Sequence, residues 1–316
     1  MGTQADIQVR TPLQRRFSAA IAVVGWIVLI SFALLEVMPF VFTVANSFKC
    51  LPAVQSYPRG FIPVPPFGVE CVVESGAARP ADEVATPLTF NPTLEGYREI
   101  FTEDFGRWIF NTAFVSAVVT ILRLLFDSLA GYALARLTFP GNRIIFFTIL
   151  GTMMIPGIVL IIPRFIILKQ LGMLNTYQGL IVPVMVDAFG IFLMKQFFES
   201  IPHEIEEAAM VDGASRFTMF FRVVLPMATP ALTALAIFSF QGTWNDFLQP
   251  LIIVSGNKSL WTLPLGLNFL RGAFGQTQRW HSFLAGSVLT TLPMAVVFFF
   301  FQRYFVEGVS YSGLKG

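Results

Sequence analysis

The chain has 316 residues, of which 55% are hydrophobic and 13% are charged, and its formal net charge is +2. The charged fraction is about half of the roughly 25% typical of soluble domains, and the mean hydropathy is +0.68. These values exclude an ordinary soluble globular protein and indicate a chain embedded in a membrane.

Six apolar stretches are long enough to cross a bilayer, since about 20 apolar residues span the hydrocarbon core as a helix. A buried helix of a soluble protein could explain one such stretch but not six. The predicted spans are residues 17–44, 108–135, 144–167, 177–194, 230–254 and 283–301. The predicted fold class is therefore an all-α membrane protein with six transmembrane helices.

The first apolar stretch could also be a signal peptide, because Arg10, Arg15 and Arg16 precede it. It is too long for the apolar region of a signal peptide, and no cleavage site of the A-x-A kind follows it. We interpret it as a retained first helix.

Basic residues in short loops predict the orientation, because they favour the cytoplasmic side. With the N-terminus inside, the short outer loops carry only Lys169, Lys258, Arg271 and Arg279. The inner segments then carry Arg10, Arg15, Arg16, Arg136, Arg143, Lys195, Arg216, Arg222, Arg303 and Lys315. Both termini are expected on the cytoplasmic side of the membrane.

The chain divides into four parts on this basis. Residues 1–44 form the cytoplasmic N-terminus and first helix, residues 45–107 an extracytoplasmic segment, residues 108–306 the core, and residues 307–316 a cytoplasmic tail. The extracytoplasmic segment is rich in proline, which predicts irregular structure. It also holds Cys50 and Cys71, which either form one disulfide or remain as two thiols.

The core contains a distinctive inner loop at residues 199–226. Pro202 and the acids that follow it are typical of a helix N-terminus, and Gly213 permits the left-handed turn that ends a helix. Phe217, Phe220, Phe221 and Val224 predict a second short helix with one apolar stripe, closed by Pro226. The loop is either a docking site for another protein or an amphipathic linker on the membrane surface.

Three parts of this loop carry a family resemblance: Glu207-Ala208-Ala209, Asp212-Gly213-Ala214 and Leu225-Pro226. They resemble the EAA signature of permeases in binding-protein-dependent ATP-binding-cassette (ABC) importers. In that family the loop is a coupling helix that sits in a cleft of the ATPase subunit. The resemblance thus implies ATPase-coupling roles for Glu207, Ala208, Ala209, Asp212, Gly213, Ala214, Leu225 and Pro226.

The resemblance extends along most of the chain to the sugar-type, MalG-like branch of the family. Asn111-Thr112, the run from Gly131 to Arg136 and the run from Trp244 to Phe247 match it in order and spacing. It implies the type I importer (MetI-like) fold, pairing with a second, different permease, and partnership with two ATPase subunits and an extracytoplasmic solute-binding protein. It also implies that the tail reaches the ATPase, although a disordered tail is the alternative. The tail residues concerned are Ser312, Gly313, Leu314, Lys315 and Gly316.

Charged residues inside the spans are costly in lipid and mark partners or cavities. Arg123 and Asp127 are four residues apart, so they are expected to form a structural ion pair, with a gate or solute contact as the alternative. Trp244, Asn245 and Asp246 combine a stacking surface with hydrogen-bonding groups, as a polyhydroxylated solute requires. They are expected to line the solute path, with bonding between helices as the alternative.

The predicted function is a permease subunit for a carbohydrate or sugar-like solute, driven by ATP hydrolysis on a separate chain. No phosphate-binding G-x-x-x-x-G-K-[ST] loop or catalytic motif is present, so no enzyme activity is expected and ATP and Mg are assigned to the partner ATPase. Membrane lipid is expected to surround the spans, and no metal site or nucleic-acid partner is expected. The alternatives are a polyamine, phosphonate or glycerol-phosphate cargo, or an ion-coupled secondary transporter with inverted repeats.

Overall fold

The structure is a computed structural model. It describes residues 12–49, 51, 54, 67–69, 85–90, 93–272 and 279–313, and side chains from residue 21 to residue 301 within those ranges, except those of residues 67–69 and 85–90. The chain forms two compact units, Met1–Gly96 and Tyr97–Gly316.

The first unit contains a long apolar helix and a small sheet. Helix α1 (Pro12–Ser47) includes one candidate membrane span, Ile21–Ser47, in agreement with the predicted first helix. Strands β1 (Phe67–Val69) and β2 (Ala85–Phe90) pair antiparallel, with Phe67 opposite Phe90. The proline-rich segment is therefore more regular than its composition predicts, whereas Cys50 and Cys71 lie outside the described residues.

From residue 95 onward the described chain is helical. Its remaining α-helices are α2 (Glu95–Thr102), α3 (Phe105–Arg136), α4 (Asn142–Met153), α5 (Ile161–Gln170), α6 (Tyr177–Ile181), α7 (Ala188–Ser200), α8 (His203–Val211), α9 (Arg216–Thr218), α10 (Leu225–Met227), α11 (Thr229–Trp244), α12 (Leu248–Ile253), α13 (Leu263–Leu270) and α14 (Trp280–Gly313). Short 3₁₀ turns occur at Gly157–Leu160, Val182–Val184 and Lys258–Leu260, and a π-helical turn at Met219–Val224.

Three helices are long and apolar enough to cross a membrane, and three bent pairs each pass the same test, so the described residues allow up to six spans. This agrees with the predicted six-helix fold. The long spans lie in α1, α3 and α14, and they match the predicted first, second and sixth helices closely.

The third and fourth spans are broken. Helix α4 and the segment Gly157–Gln170 meet at 96°, and Pro156 lies at the break. Proline interrupts the helix because it lacks an amide hydrogen and disfavours helical backbone in the residue before it. Tyr177–Val184 and α7 meet at 42°. There Asp187 caps α7 by accepting a hydrogen bond from the Gly190 N–H.

The fifth span is shorter than predicted. Helix α11 ends at Trp244 rather than continuing to residue 254, and α12 begins at Leu248. The Asp246 side chain accepts from the Gln249 N–H, which stabilises a new helix start in place of continuation. Hydropathy alone does not reveal such a break.

Two apolar cores surround α3, which packs against α7 and α11. One core lies around Trp108, Trp244 and Trp261, and the other around Phe198 and Phe220. The backbone approaches closely at Gly131, where an added Cβ would lie 2.8 Å from the Met194 Cβ. The small residue at this position thus lets α3 and α7 pack closely.

Candidate functional site

Helix α8 forms the first half of the loop at residues 199–226. Pro202 precedes it and Glu204 and Glu206 occupy its first turn, where negative charge is favourable. Its end is a Schellman motif: the Gly213 N–H donates to the Met210 carbonyl (3.0 Å) and the Ala214 N–H to the Ala209 carbonyl (2.9 Å). Gly213 has φ +83°, so the predicted left-handed turn is confirmed.

The motif residues of this loop divide into an exposed and an inward-facing group. Glu207, Ala208, Asp212, Gly213 and Pro226 are exposed. Ala209, Ala214 and Leu225 are half-buried and pack against the core around Phe198 and Phe220. The motif therefore presents one face outward while its small residues seat the loop on the helices below.

The second half of the loop differs from the prediction. Arg216–Met227 is one helical run, but its middle is the π-helical turn Met219–Val224, and the run ends one residue after Pro226. Phe220 and Val224 are buried, whereas Phe217 is 75% exposed. The predicted single stripe of four apolar residues is wrong because a π turn holds more residues than an α turn, so α-helical spacing does not keep them on one face.

A buried charged cluster anchors the loop to the end of α3. The Arg136 Nε lies 3.0 Å from the Glu206 Oε1, and these side chains are 1% and 12% exposed. Arg136 also donates to the carbonyls of Phe198 and Ile201 at the end of α7, and the Tyr132 hydroxyl donates to Glu206 (3.4 Å). We call Tyr132, Arg136 and Glu206 the Arg136 cluster.

The Arg136 cluster joins three elements, because Arg136 belongs to α3, its two carbonyl partners lie at the end of α7, and Glu206 belongs to α8. Sequence reasoning missed it. The available signal was a basic residue at the last turn of a long span followed by carboxylates in a later inner loop.

The three candidate solute-path residues occupy different surroundings. Trp244 is buried (2% exposed) and stacks on Phe240, with ring centroids 5.4 Å apart. Asp246 lines a cavity of about 190 Å³ beside α3, whereas Asn245 lines a second cavity of about 370 Å³ beside α13 and α14. The structure thus brings Asp246 and Asn245 to cavities and places Trp244 in the buried core.

The expected Arg123–Asp127 ion pair is wrong. The Arg123 Nε donates to the Val184 carbonyl (2.7 Å), and Arg123 lines the cavity that contains Asp246. Asp127 is buried and accepts from the Asp187 N–H (3.0 Å) instead. Helical spacing put the two side chains on one face, but backbone partners from the neighbouring span hold each of them.

A second charged cluster joins α2 to the start of α14. Arg279 donates to Glu99 (3.1 Å) and Glu103 (2.7 Å), His281 lies 2.5 Å from Glu99, and the Ser282 hydroxyl donates to Glu99. We call these five residues the Glu99 cluster. No local sequence pattern indicates this cluster, since about 180 residues separate its two halves.

The pKa of Glu99 reflects this environment. Burial by itself would raise the pKa, but hydrogen bonds from Ser282 and Arg279 and the charges of His281 and Arg279 outweigh it, so the pKa lies below its ordinary value of 4.5. Glu99 is therefore held as a carboxylate.

The C-terminal tail is described only in part. Ser312 and Gly313 belong to the end of α14, while Leu314, Lys315 and Gly316 lie outside the described residues. The structure therefore places the start of the tail but not its contacts.

The described residues combine broken spans, cavities at the breaks and a projecting loop anchored by buried charge. These features are typical of multi-span helical permeases. Residues 127–311 match the family of the binding-protein-dependent transport system inner membrane component. The chain belongs to this family, and it is the membrane-embedded permease component of an ABC importer that works with an ATPase and a binding protein.

Individual relatives agree with this assignment. The chain is 37% identical over 246 residues to the arabinooligosaccharides transport system permease protein AraQ of Halalkalibacterium halodurans, a match that covers 75% of this chain and 87% of the relative. It is 35% identical over 220 residues to the diacetylchitobiose uptake system permease protein NgcG of Streptomyces coelicolor, covering 69% and 72%.

A solved structure shares the fold. The crystal structure of a bacterial ABC transporter involved in the import of the acidic polysaccharide alginate has a chain that superimposes with a TM-score of 0.72. The match covers 93% of this chain and 100% of that chain, at 22% identity, and shows that the fold is that of an importer permease.

Proposed function

We propose that the chain is the permease subunit of an importer for a carbohydrate or sugar-like solute, and that it couples ATP hydrolysis on a separate ATPase to alternating access. The family membership supports the importer, and the arabinooligosaccharide and diacetylchitobiose systems of its relatives support the cargo. Under this proposal ATP and Mg bind to the ATPase, and this chain supplies no catalytic residue.

The observation that carries the proposal is the exposed face of α8 on a buried anchor. Glu207, Ala208 and Asp212 project outward, and Ala208 is small enough to let another protein approach the backbone closely. The Arg136 cluster ties this face to α3 and α7, so a force applied to α8 passes directly into two spans. We propose that the loop docks in the ATPase and that Ser312 to Gly316 contact it nearby.

The arrangement in the membrane follows from the same proposal. The loop and both termini lie on the cytoplasmic side, and the core of spans pairs with a second, different permease. The solute path passes the break after α11, where Asp246 and Asn245 line cavities and Trp244 is buried.

A complete complex tests this proposal. The chain, its partner permease, the ATPase and the binding protein are reconstituted in lipid nanodiscs, and ATPase stimulation is measured with arabinooligosaccharide, diacetylchitobiose, maltose, spermidine, a phosphonate and glycerol 3-phosphate. We expect stimulation by one of the three sugars only, and the ATPase without the permeases serves as the control. Stimulation by spermidine, the phosphonate or glycerol 3-phosphate alone would refute the carbohydrate cargo, and uptake without any ATPase would refute the importer mechanism.

A further inference from the structure

The cavity of about 190 Å³ lies between α3, the break after α11 and the start of α13. Its polar lining comes from Thr112, Arg123, Thr243, Asp246, Gln249 and Thr262. Charged side chains at membrane depth are costly and mark paths for polar solutes. This cavity holds one of each sign.

The two charges face the cavity without neutralising each other. No ion pair joins Arg123 to Asp246 among the described residues, although both line the same space. Arg123 uses its Nε for the Val184 carbonyl, and Asp246 accepts from the Gln249 N–H at 3.3 Å. Each side chain is thus held by a backbone group and keeps further hydrogen-bonding capacity, since a guanidinium has five N–H donors and a carboxylate two acceptor oxygens.

The neutral polar groups around them are also arranged for a ligand. The Gln249 amide is fixed by the Leu180 carbonyl (3.1 Å) and by Arg164 (2.6 Å). Thr262 is only 4% exposed, lines the cavity, and its Oγ1 has no hydrogen-bond partner among the described residues. A buried hydroxyl without a hydrogen-bond partner destabilises the fold by about 1–3 kcal/mol. A polar ligand that bonded to the Thr262 hydroxyl would recover that free energy.

The chemistry of the lining selects the class of guest. A carboxylate only accepts and a guanidinium only donates, whereas a hydroxyl does both and therefore satisfies either one. For an anionic group the attraction of Arg123 is opposed by the repulsion of Asp246, and for a cationic group the reverse holds, so the two charges together favour neither sign. The volume equals about six times the roughly 30 Å³ that a water molecule occupies, and is below the about 300–1,000 Å³ of drug-sized ligand pockets.

We propose that this cavity is a subsite for one ring of a neutral polyhydroxylated solute, in which Asp246 accepts from one hydroxyl and Arg123 and Thr262 bind its neighbours. The inference rests on the proposed carbohydrate import and adds that this chain, and not only its partner permease, contacts the solute.

The test compares transport of sugars that lack single hydroxyl groups. The complete importer is reconstituted in proteoliposomes, and uptake of arabinobiose, maltose and diacetylchitobiose is measured beside that of their monodeoxy analogues. The wild-type importer is expected to transport one deoxy analogue about tenfold less well, the effect of losing a hydrogen bond to a charged group. Asp246→Asn keeps an acceptor oxygen but loses the charge, so it should reduce that discrimination from about tenfold to about threefold.

Asp127→Asn is the matched control. Asp127 is a buried carboxylate one helical turn from Arg123 that does not line the cavity, and asparagine retains an oxygen for the Asp187 N–H. It should keep the wild-type discrimination. Thr262→Val, which preserves the side-chain shape and removes a hydroxyl without a described partner, should weaken discrimination against a different deoxy analogue.

The possible outcomes separate the subsite from the cargo. If sugars are transported and Asp246→Asn and Thr262→Val discriminate as the wild type does, the subsite is refuted while carbohydrate import stands. The subsite is refuted in the same way if Asp127→Asn behaves like Asp246→Asn, because the effect would then belong to any lost membrane charge. If the importer moves none of the neutral sugars, the carbohydrate cargo itself is refuted, and the subsite with it.

Discussion

The Arg136 and Glu99 clusters both join distant parts of the chain, but they differ in burial. They lie near the two ends of α3, whose 32 residues correspond to a length of about 48 Å. The Arg136 and Glu206 side chains are 1% and 12% exposed, whereas those of Arg279, Glu99 and Glu103 are 23–30% exposed. The Arg136–Glu206 pair is thus shielded from water, whereas the ion pairs of Arg279 are partly hydrated.

This difference predicts different mechanical behaviour. Separating a buried ion pair leaves a charge without water, so the Arg136 cluster holds α8 to α3 and α7 as one rigid piece. The partly exposed Glu99 cluster can open at small cost, because water replaces the lost partner. Substitutions at Glu206 and Glu99 test the comparison, and one at Gly213 tests the loop that the Arg136 cluster anchors.

The largest effect is expected from Glu206→Gln. It removes the counter-charge of the almost fully buried Arg136, and breaking a buried pair costs about 3–5 kcal/mol. We expect a large drop in the thermal stability of the reconstituted complex together with loss of ATP-driven uptake. Glu103→Gln is the control, because the Arg279 and Glu103 side chains are 23% and 30% exposed and Arg279 keeps Glu99 as a partner, so the cost should be about 0.2–1 kcal/mol. Equal losses in the two variants would show that burial does not distinguish the pairs.

A smaller effect on stability but a large one on coupling is expected from Gly213→Val. A side chain at φ +83° costs about 1–2 kcal/mol, although an added Cβ would meet no atom within 4 Å. The strain should displace the exposed face of α8, so ATP-driven uptake and association with the ATPase should fail while membrane insertion is kept.

Gly172→Val provides the comparison for that variant. Gly172 has φ +67° and equally open surroundings, but it lies between α5 and α6. It should lose similar stability and retain association with the ATPase. Normal uptake by Gly213→Val would show that the geometry of this turn is not needed for coupling.

The smallest effect is expected from Glu99→Gln, and it depends on pH. Because the pKa of Glu99 is lowered in the folded chain, its carboxylate stabilises the fold above the ordinary value of 4.5, and this contribution is lost as pH falls through the lowered pKa. The difference in melting temperature between wild type and variant should still be present at pH 5 and shrink below pH 4.5. A difference that already disappears near pH 6 would contradict the assignment.

The sequence predicts well those features that depend on uninterrupted patterns. Long apolar runs indicated the spans in α1, α3 and α14, and the positive φ of Gly213 followed from its place after a short helix. The breaks near Pro156 and after Trp244 were missed. Hydropathy is averaged over a window of residues and does not report a change in the direction of the helix axis.

The errors at the site have a common origin in tertiary partners. Arg123 and Asp127 have the spacing of an ion pair, but Val184 and Asp187 from another span offer each of them a backbone partner. The Arg136 cluster joins residues about 70 positions apart, which no local pattern reveals. The sequence indicated which residues are chemically unusual but not which of them meet.

The π-helical turn Met219–Val224 affects the direction in which the motif residues of the loop face. A π turn winds less per residue than an α-helix, so if these six residues wound as an α-helix, at about 100° a residue, the chain before them would turn by about one residue's rotation around the axis of Arg216–Met227. Glu207 and Asp212 would keep their sequence context and face a different direction. The π turn therefore sets the direction of the motif without changing any of its side chains.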